Sequence, residues 1–126
     1  MREFEGGQSE RRRRRSPWAS EALHLQLLQA VNENGIDAMV LSDSLGQLWA
    51  ASSRAASPGA IAARVGRSEG PELLETEHEG TPVVVRRFSV GPTTLFLSAQ
   101  GPLLSSRSAV EHATPGVSRI LGGLLR

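Results

Sequence analysis

The spacing of the apolar residues changes at Gly35, and this change constrains the fold more than any other feature of the sequence. The residues that form an apolar stripe at helical spacing before it are Leu23, Leu27, Leu28 and Val31. After it, Ile36 to Ser42 is a short apolar run of strand length. A helix with one apolar stripe must cover another element, so the sequence predicts a helix that packs on a sheet.

The limits of this first helix follow from the residues that flank it. Ser16 can cap it, and Pro17 suits the first helical position, where its missing N–H costs nothing. Gly35 can end the helix after Asn34 in the left-handed conformation. Trp18, in the first turn, is predicted either to anchor the helix from below or, if it is exposed, to belong to a partner surface.

A turn sequence, Asp43-Ser44-Leu45-Gly46, separates the first apolar run from a second one at Gln47 to Ser53. With Gln47 it has the outline of the Asp-x-x-Gly-Gln element with which small GTPases sense a γ-phosphate. The chain has no lysine, however, and therefore neither a P-loop lysine nor an Asn-Lys-x-Asp guanine-binding pattern. The sequence predicts a β-hairpin in which Trp49 lies either in the core or half-buried on the sheet surface, and it excludes a GTPase of known design.

Turn sequences also separate the elements that follow. Ser57-Pro58 repeats the cap and proline signal and predicts a short helix that runs to Val65 and ends at Gly66. Glu79-Gly80 and Gly91-Pro92 favour an antiparallel meander, because both pairs have turn chemistry. The three strands of this meander are predicted at about Glu72 to His78, Pro82 to Val90 and Thr93 to Ala99.

Two continuous apolar runs, Val83-Val84-Val85 and Leu95-Phe96-Leu97, predict strands that are buried on both faces. Helices should therefore cover the sheet on two sides. Near the C-terminal end, the Ser105-Ser106 pair can cap a helix at about Arg107 to Ala113, and Thr114-Pro115 signals a fresh helix start. The sequence predicts a broken helix here, packed on the same face as the first helix.

Composition removes most kinds of catalytic site. The 126 residues suffice for one domain, predicted at 16–126. Without cysteine there is no disulfide, thiolate nucleophile or Cys-based metal site. His24, His78 and His112 match no metal-ligand spacing, and no Gly-x-Ser-x-Gly elbow is present. We expect no metal, no cofactor and no enzymatic activity. No apolar run has the length of a membrane span or a signal peptide, which predicts a cytoplasmic location.

The first fifteen residues are predicted to be a disordered tail, because they have almost no apolar side chains. Six arginines and three glutamates give this segment a net charge of +3, whereas the other residues carry −2. The arginines in a row are Arg11, Arg12, Arg13, Arg14 and Arg15. They can contact nucleic acid phosphates or an anionic membrane. A solvated tail or a general protein contact is favoured, because the rest of the chain is mildly acidic.

Four carboxylates stand around His78 at the first meander strand, namely Glu72, Glu75, Glu77 and Glu79, and the last three are at alternate positions. A cation site or a general acid–base pair is one interpretation of this pattern. An edge strand that its charges protect from aggregation is the favoured interpretation. If the strand lies at a protein interface, Arg86-Arg87 on the adjacent strand could supply a partner for these charges.

The predicted element order, α-β-β-α-β-β-β-α, resembles the roadblock/LC7 family of dynein light chains and bacterial regulators of small Ras-like GTPases. Gly35 to Ser52 is similar to the opening hairpin of that family, in which a Gly-x-x-apolar strand leads through an Asp-x-x-Gly turn. Val83 to Gly91 and Leu95 to Leu97 resemble its central meander. The resemblance implies an α/β (α+β) fold with a five-stranded antiparallel sheet and helices on both faces.

The resemblance also implies a function. Family members are homodimers that bind a small Ras-like GTPase or another roadblock protein, or scaffold a complex, without an active site of their own. They pair through the central helix and the strand after it. The corresponding candidates for a dimer interface are Ile61, Arg64, Val65, Leu73, Glu75 and Glu77. The alternatives are a PAS- or GAF-like small-molecule sensor and binding of nucleic acid or an anionic surface through the arginine-rich tail.

Overall fold

The structure is a computed structural model that describes residues 17–53, 58–65 and 72–124. The elements in chain order are α1 (Pro17–Asn34), β1 (Ala38–Asp43), β2 (Leu48–Ala51), α2 (Pro58–Val65), β3 (Leu73–His78), β4 (Thr81–Val90), β5 (Thr93–Gln100) and α3 (Leu103–Leu124). This order is the predicted one. The arginine-rich tail, the two serine caps predicted at Ser16 and Ser57, and the helix end predicted at Gly66 lie outside the described residues.

The five strands form one antiparallel sheet in the order β2-β1-β5-β4-β3. Strands β3, β4 and β5 form the predicted meander, in which Val84 of β4 pairs with Glu75 on one side and with Ala99 on the other. Strand β5 then returns beside β1, where Leu97 pairs with Leu41. Strands β2 and β3 are left at the two edges of the sheet.

Helices α1 and α3 cover one face of the sheet, which we call the two-helix face. The largest fully buried side chains of this core are Leu23, Leu27, Met39, Leu41, Leu95, Leu97 and Leu121. Helix α2 covers the opposite face, which we call the α2 face, with Ile61, Ala62 and Val65 packed against the sheet. The central strands are therefore buried on both sides, as the continuous apolar runs predicted.

Helix α1 ends where the sequence predicted. Gly35 has a φ of +66°, the left-handed conformation that glycine adopts without a Cβ clash. The N–H groups of Gly35 and Ile36 both donate to the Val31 carbonyl, at 2.9 and 3.3 Å. These bonds satisfy a carbonyl at the helix end and turn the chain into β1.

The predicted break of the C-terminal helix is wrong, because α3 continues through Pro115 to Leu124. Pro115 lies on the exposed side of α3. It has no N–H to donate to the carbonyl of Glu111, and water can reach this carbonyl instead. The Thr114 hydroxyl donates to the Val110 carbonyl at 2.5 Å. Gly116 is not a helix end: it faces α1, where a Cβ would collide with the side-chain amide of Gln26.

The start of α3 also differs from the prediction. The helix begins at Leu103, so the Ser105-Ser106 pair lies inside its first turns and does not cap it. The N–H of Ser106 donates to the carbonyl of Pro102 at 2.8 Å. A buried stripe of Val110, Val117 and Leu121 joins the two halves that the sequence analysis separated. The packing of this stripe on the two-helix face outweighs the local cost of one proline.

None of the described helices has the length and apolar character needed to cross a bilayer.

Candidate functional site

Asp43, the first residue of the GTPase-like sequence, is buried and holds the hairpin turn together. One carboxylate oxygen, Oδ1, accepts the N–H groups of Leu45 and Gln47, each at 2.9 Å. The other, Oδ2, accepts the indole Nε1–H of Trp49 at 2.9 Å. The backbone N–H of Asp43 also donates to the carbonyl of Gln47, and the N–H of Gly46 donates to the carbonyl of Asp43. The carboxylate is thus engaged in structure, and the pattern is a hairpin turn as predicted.

Two features of the structure require a glycine at Gly46, in the same turn. Its φ is +80°, and a Cβ at this position would lie 3.2 Å from the Cα of Ala63 on α2. The turn therefore packs directly on the backbone of α2. Trp49 is half-buried and packs against the core of the two-helix face, which is one of the two positions that the sequence allowed. The hairpin thus contacts the helices on both faces of the sheet.

The candidate interface residues on α2 divide into two groups. Ile61 and Val65 are only 2% and 5% exposed, because they pack inward against the sheet of their own chain. Arg64 is exposed. The other exposed residues of α2 are the small residues Gly59, Ala60 and Ala63. A second protein that approaches α2 would meet this small-residue surface and the guanidinium of Arg64.

Strand β3 supplies the other three candidates and is an edge strand. Leu73 is half-buried and packs against the core of the two-helix face. Glu75 and Glu77 are exposed. Glu75 forms an ion pair with Arg107 of α3, with 2.8 Å between Oε2 and Nη2. Its partner therefore comes from a helix, and not from the Arg86-Arg87 pair on the adjacent strand. We call the exposed parts of α2 and β3 together the α2–β3 surface.

The three histidines lie in separate places. His24 Nδ1–H donates to the carbonyl of Ala51 at 2.9 Å and so joins α1 to β2. His112 Nε2 lies 3.3 Å from Glu33 Oε1 and joins α3 to α1, whereas His78 lies at the end of β3. Among the described residues, no three His, Asp or Glu side chains come together as a metal site would require. Two of the three histidines thus connect elements of the fold.

A depression of about 650 Å³ lies near the β4–β5 hairpin and the start of β3. Its lining residues are Glu72, Arg87, Phe88, Ser89 and Thr94. It is open to solvent and its walls are about equally polar and apolar, whereas sites that enclose a small molecule are mainly apolar and bury most of the ligand. It offers little support for the small-molecule sensor alternative.

Trp18 is 66% exposed, so of the two alternatives that the sequence left open the structure favours a partner surface. Leu25 is 53% exposed and lies two helical turns further along α1. The buried residues of α1 are Ala19, Leu23, Leu27, Ala30 and Val31, which face the sheet. Trp18 and Leu25 therefore lie on the side of α1 that faces away from the core.

No family model matches the chain, and no curated protein matches it either. The order of the elements, the strand order and the helices on both faces define a roadblock/LC7 fold. Solved structures of MglB share it. Myxococcus xanthus MglB matches with a TM-score of 0.66 and 12% identity, over 84% of this chain and 92% of that one.

Two further MglB structures give similar values. One, described as MglB with tetrameric arrangement, has a TM-score of 0.65 and 16% identity, over 85% of this chain and 93% of that one. The other is the gliding protein MglB from Thermus thermophilus, with a TM-score of 0.62 and 16% identity, over 81% and 90%. At these identities the likeness shows the fold. It confirms the roadblock/LC7 resemblance that the sequence order and the opening hairpin predicted.

Proposed function

We propose that this protein is a non-catalytic regulator or scaffold that binds a small Ras-like GTPase. The observation that carries the proposal is the roadblock/LC7 fold, which solved MglB structures match over 81% to 85% of the chain. The chain has no lysine and so cannot provide the phosphate-binding lysine of a P-loop. In this proposal the partner holds the nucleotide, and both proteins meet in the cytoplasm.

We also propose that the working unit is a homodimer that forms through the α2–β3 surface. One of the matched MglB structures is described as tetrameric, which favours self-association in proteins of this fold. The described part of the chain leaves β3 at the edge of the sheet. The outward N–H and C=O groups of such a strand can pair with the β3 strand of a second copy.

Leu74 gives the second copy an apolar contact. This half-buried residue of β3 extends the core of the α2 face to the edge of the sheet. The charges of the strand favour the same arrangement. Arg107 pairs with Glu75, so one of the two exposed carboxylates of β3 already has a partner when two strands meet. Glu77 is the carboxylate that a second copy has to accommodate.

The GTPase proposal is tested with a purified small Ras-like GTPase from the same organism, loaded with GDP or with a non-hydrolysable GTP analogue. We expect a complex in native mass spectrometry and calorimetry, with one nucleotide form preferred. The affinity should depend on the bound nucleotide, because the γ-phosphate of GTP orders the switch segments of a small GTPase. Failure of every such GTPase to bind in either form would remove the proposal.

The homodimer is tested separately by analytical ultracentrifugation. Leu74→Arg places a charge at the proposed contact and should convert the dimer to a monomer with an unchanged circular dichroism spectrum. Leu25→Arg is the matched control, because Leu25 is 53% exposed on α1, a helix that packs on α3, β1 and β2. A wild-type monomer at high protein concentration, or a dimer that both variants keep, would contradict the proposed interface.

A further inference from the structure

Three polar side chains are buried together on the α2 face of the sheet. Ser42 of β1 and Ser98 and Gln100 of β5 are 0%, 2% and 8% exposed. Ser98 pairs with Val40 across the two strands, and Ser42 pairs with Phe96. Side chains at paired positions lie on one face of a sheet, so both serines share the face of Val40 and Phe96, which belong to the α2-face core. Gln100, two residues after Ser98, shares this face as well, and we call the three side chains the buried polar row.

The buried polar row lacks the hydrogen bonds that buried polar groups usually form. Ser42 Oγ, Ser98 Oγ and Gln100 Oε1 have no partner among the described residues. Ser52 is a contrasting case, because it is also buried but its Oγ accepts the backbone N–H of Met39 at 2.9 Å. A group without a partner has given up its hydrogen bonds to water, so the row disfavours the conformation in which it is covered.

Helix α2 covers the face on which this row lies, and its attachment to the sheet is limited. It has eight residues, which is about 12 Å of helix, and helices of this length are not stable in water by themselves. It packs mainly on β1, β2 and β5. Its buried side chains are Ile61, Ala62 and Val65. Three apolar side chains thus hold α2 on a face that also contains three unsatisfied polar groups.

The rest of the fold has contacts that do not involve α2. Of the described residues in the core of the two-helix face, none belongs to α2. The hairpin turn that touches α2 at Gly46 is held by the Asp43 carboxylate, whose three bonds are all to residues of the hairpin. Release of α2 exposes apolar side chains, but it also lets water reach the buried polar row, which offsets part of the loss. We therefore expect α2 to separate from the sheet more readily than the chain unfolds.

We propose that α2 is a movable cover of the sheet, which opens while the sheet and the two-helix layer stay folded, and that the buried polar row sets how often it opens. In the closed form α2 presents Arg64 as part of the α2–β3 surface. In the open form the α2 part of that surface is lost, so a second protein that binds there favours the closed form. This consequence for binding rests on the proposed function, whereas the opening itself does not and is tested on the chain alone.

The test is hydrogen exchange of the full chain, followed by mass spectrometry at a dilution at which the protein is a monomer. The first four N–H positions of a helix have no acceptor within it, so the informative amides of α2 are those of Ala62, Ala63, Arg64 and Val65. We expect them to exchange at least about a hundredfold faster than the most protected amides of β5. Low concentrations of urea should change their exchange little, because opening of α2 exposes little surface.

The double variant Ser42→Ala, Ser98→Ala removes two unsatisfied hydroxyls from the closed form. It should slow the exchange of α2 about three- to tenfold, because opening no longer hydrates these groups. Ser106→Ala is the matched control, since Ser106 Oγ is also buried without a partner among the described residues but belongs to α3. Ser106 stays covered when α2 opens, so we expect this variant to change the exchange of β5 and to leave that of α2 unchanged.

Any of three results would overturn the proposal. The first is that the α2 amides of the wild type exchange as slowly as the most protected amides of β5, which would mean that α2 opens only when the whole chain unfolds. The second is that α2 exchanges in the double variant as fast as in the wild type, or faster. The third is that Ser106→Ala slows the exchange of α2 as much as the double variant does, which would mean that the buried polar row has no particular connection to α2.

Discussion

The two faces of the sheet differ in how completely they are packed. Two long helices cover the two-helix face, and its core is formed almost entirely by apolar side chains. The α2 face has a helix of eight residues. Ser42 Oγ, Ser98 Oγ and Gln100 Oε1 on this face are buried with no hydrogen-bond partner among the described residues, whereas Ser106 Oγ of α3 is such an atom on the two-helix side. Each such group costs roughly 1–3 kcal/mol. The two-helix face supplies stability, and the α2 face keeps features that stability alone would not favour.

The loss of a core side chain should change the free energy of unfolding most, and it tests whether the two faces differ in stability. Leu27 is fully buried on the two-helix face, and Leu27→Ala should lower the free energy of unfolding by roughly 3–5 kcal/mol. Ile61→Ala on the α2 face should cost less, about 2 kcal/mol, because a short helix can move to fill part of the cavity. Urea unfolding measures both. Equal losses would mean that the two faces contribute alike.

The hairpin turn that contacts both faces is expected to give the next largest effect. Asp43→Ala removes the acceptor of the backbone N–H groups of Leu45 and Gln47 and of the indole N–H of Trp49. We expect the free energy of unfolding, measured in urea, to fall by about 2–3 kcal/mol. Trp49→Phe removes one of these bonds and should cost less. If Asp43→Ala unfolds at the urea concentration of the wild type, the carboxylate does not stabilise the turn.

A pair of neighbouring residues on β5 compares the faces directly. Ala99 is buried on the two-helix face, whereas Ser98 is buried on the α2 face. Ala99→Ser should destabilise by roughly 1–3 kcal/mol, because it buries a hydroxyl among apolar side chains. Ser98→Ala should be neutral or stabilise by up to about 1 kcal/mol, because its hydroxyl has no partner to lose among the described residues. Thermal unfolding of the two variants should therefore shift in opposite directions; a shared direction would remove this distinction between the faces.

Sequence reasoning reached the fold where a local signal exists. Gly35 and Gly46 are positions at which a positive φ is required, so the end of α1 and the hairpin turn could be found from the residues alone. The same local rules failed at Pro115, because the packing of α3 on the two-helix face overrides one unfavourable position. The sequence could not decide whether Trp18 is buried or exposed, because this depends on which side of α1 packs against the sheet.

The contacts between distant parts of the chain could not be predicted. Arg107 was assigned to a helix, but nothing in its sequence neighbourhood indicates Glu75 as a partner. The bond from Trp49 to Asp43 joins residues that are close in sequence, but it accompanies a register shift that leaves Trp49 without a pairing partner on β1, which the sequence does not indicate. The six candidates on α2 and β3 came from a resemblance. The structure separates the exposed Arg64, Glu75 and Glu77 from the inward-facing Ile61 and Val65, and the interface itself stays a prediction.

The smallest expected effect concerns the ion pair that ties the edge of the sheet to the two-helix layer. Arg107 and Glu75 are each about half exposed, so water and salt screen their attraction. In a double-mutant cycle with Arg107→Ala and Glu75→Ala, we expect a coupling of about 0.2–1 kcal/mol that falls at high salt. If β3 pairs with a second copy, Arg107→Ala should weaken the dimer more than it weakens the fold, because it leaves Glu75 uncompensated beside the partner's charges. Sedimentation and urea unfolding of this one variant separate the two effects. A variant that loses stability but dimerises as the wild type does would confine Arg107 to the fold.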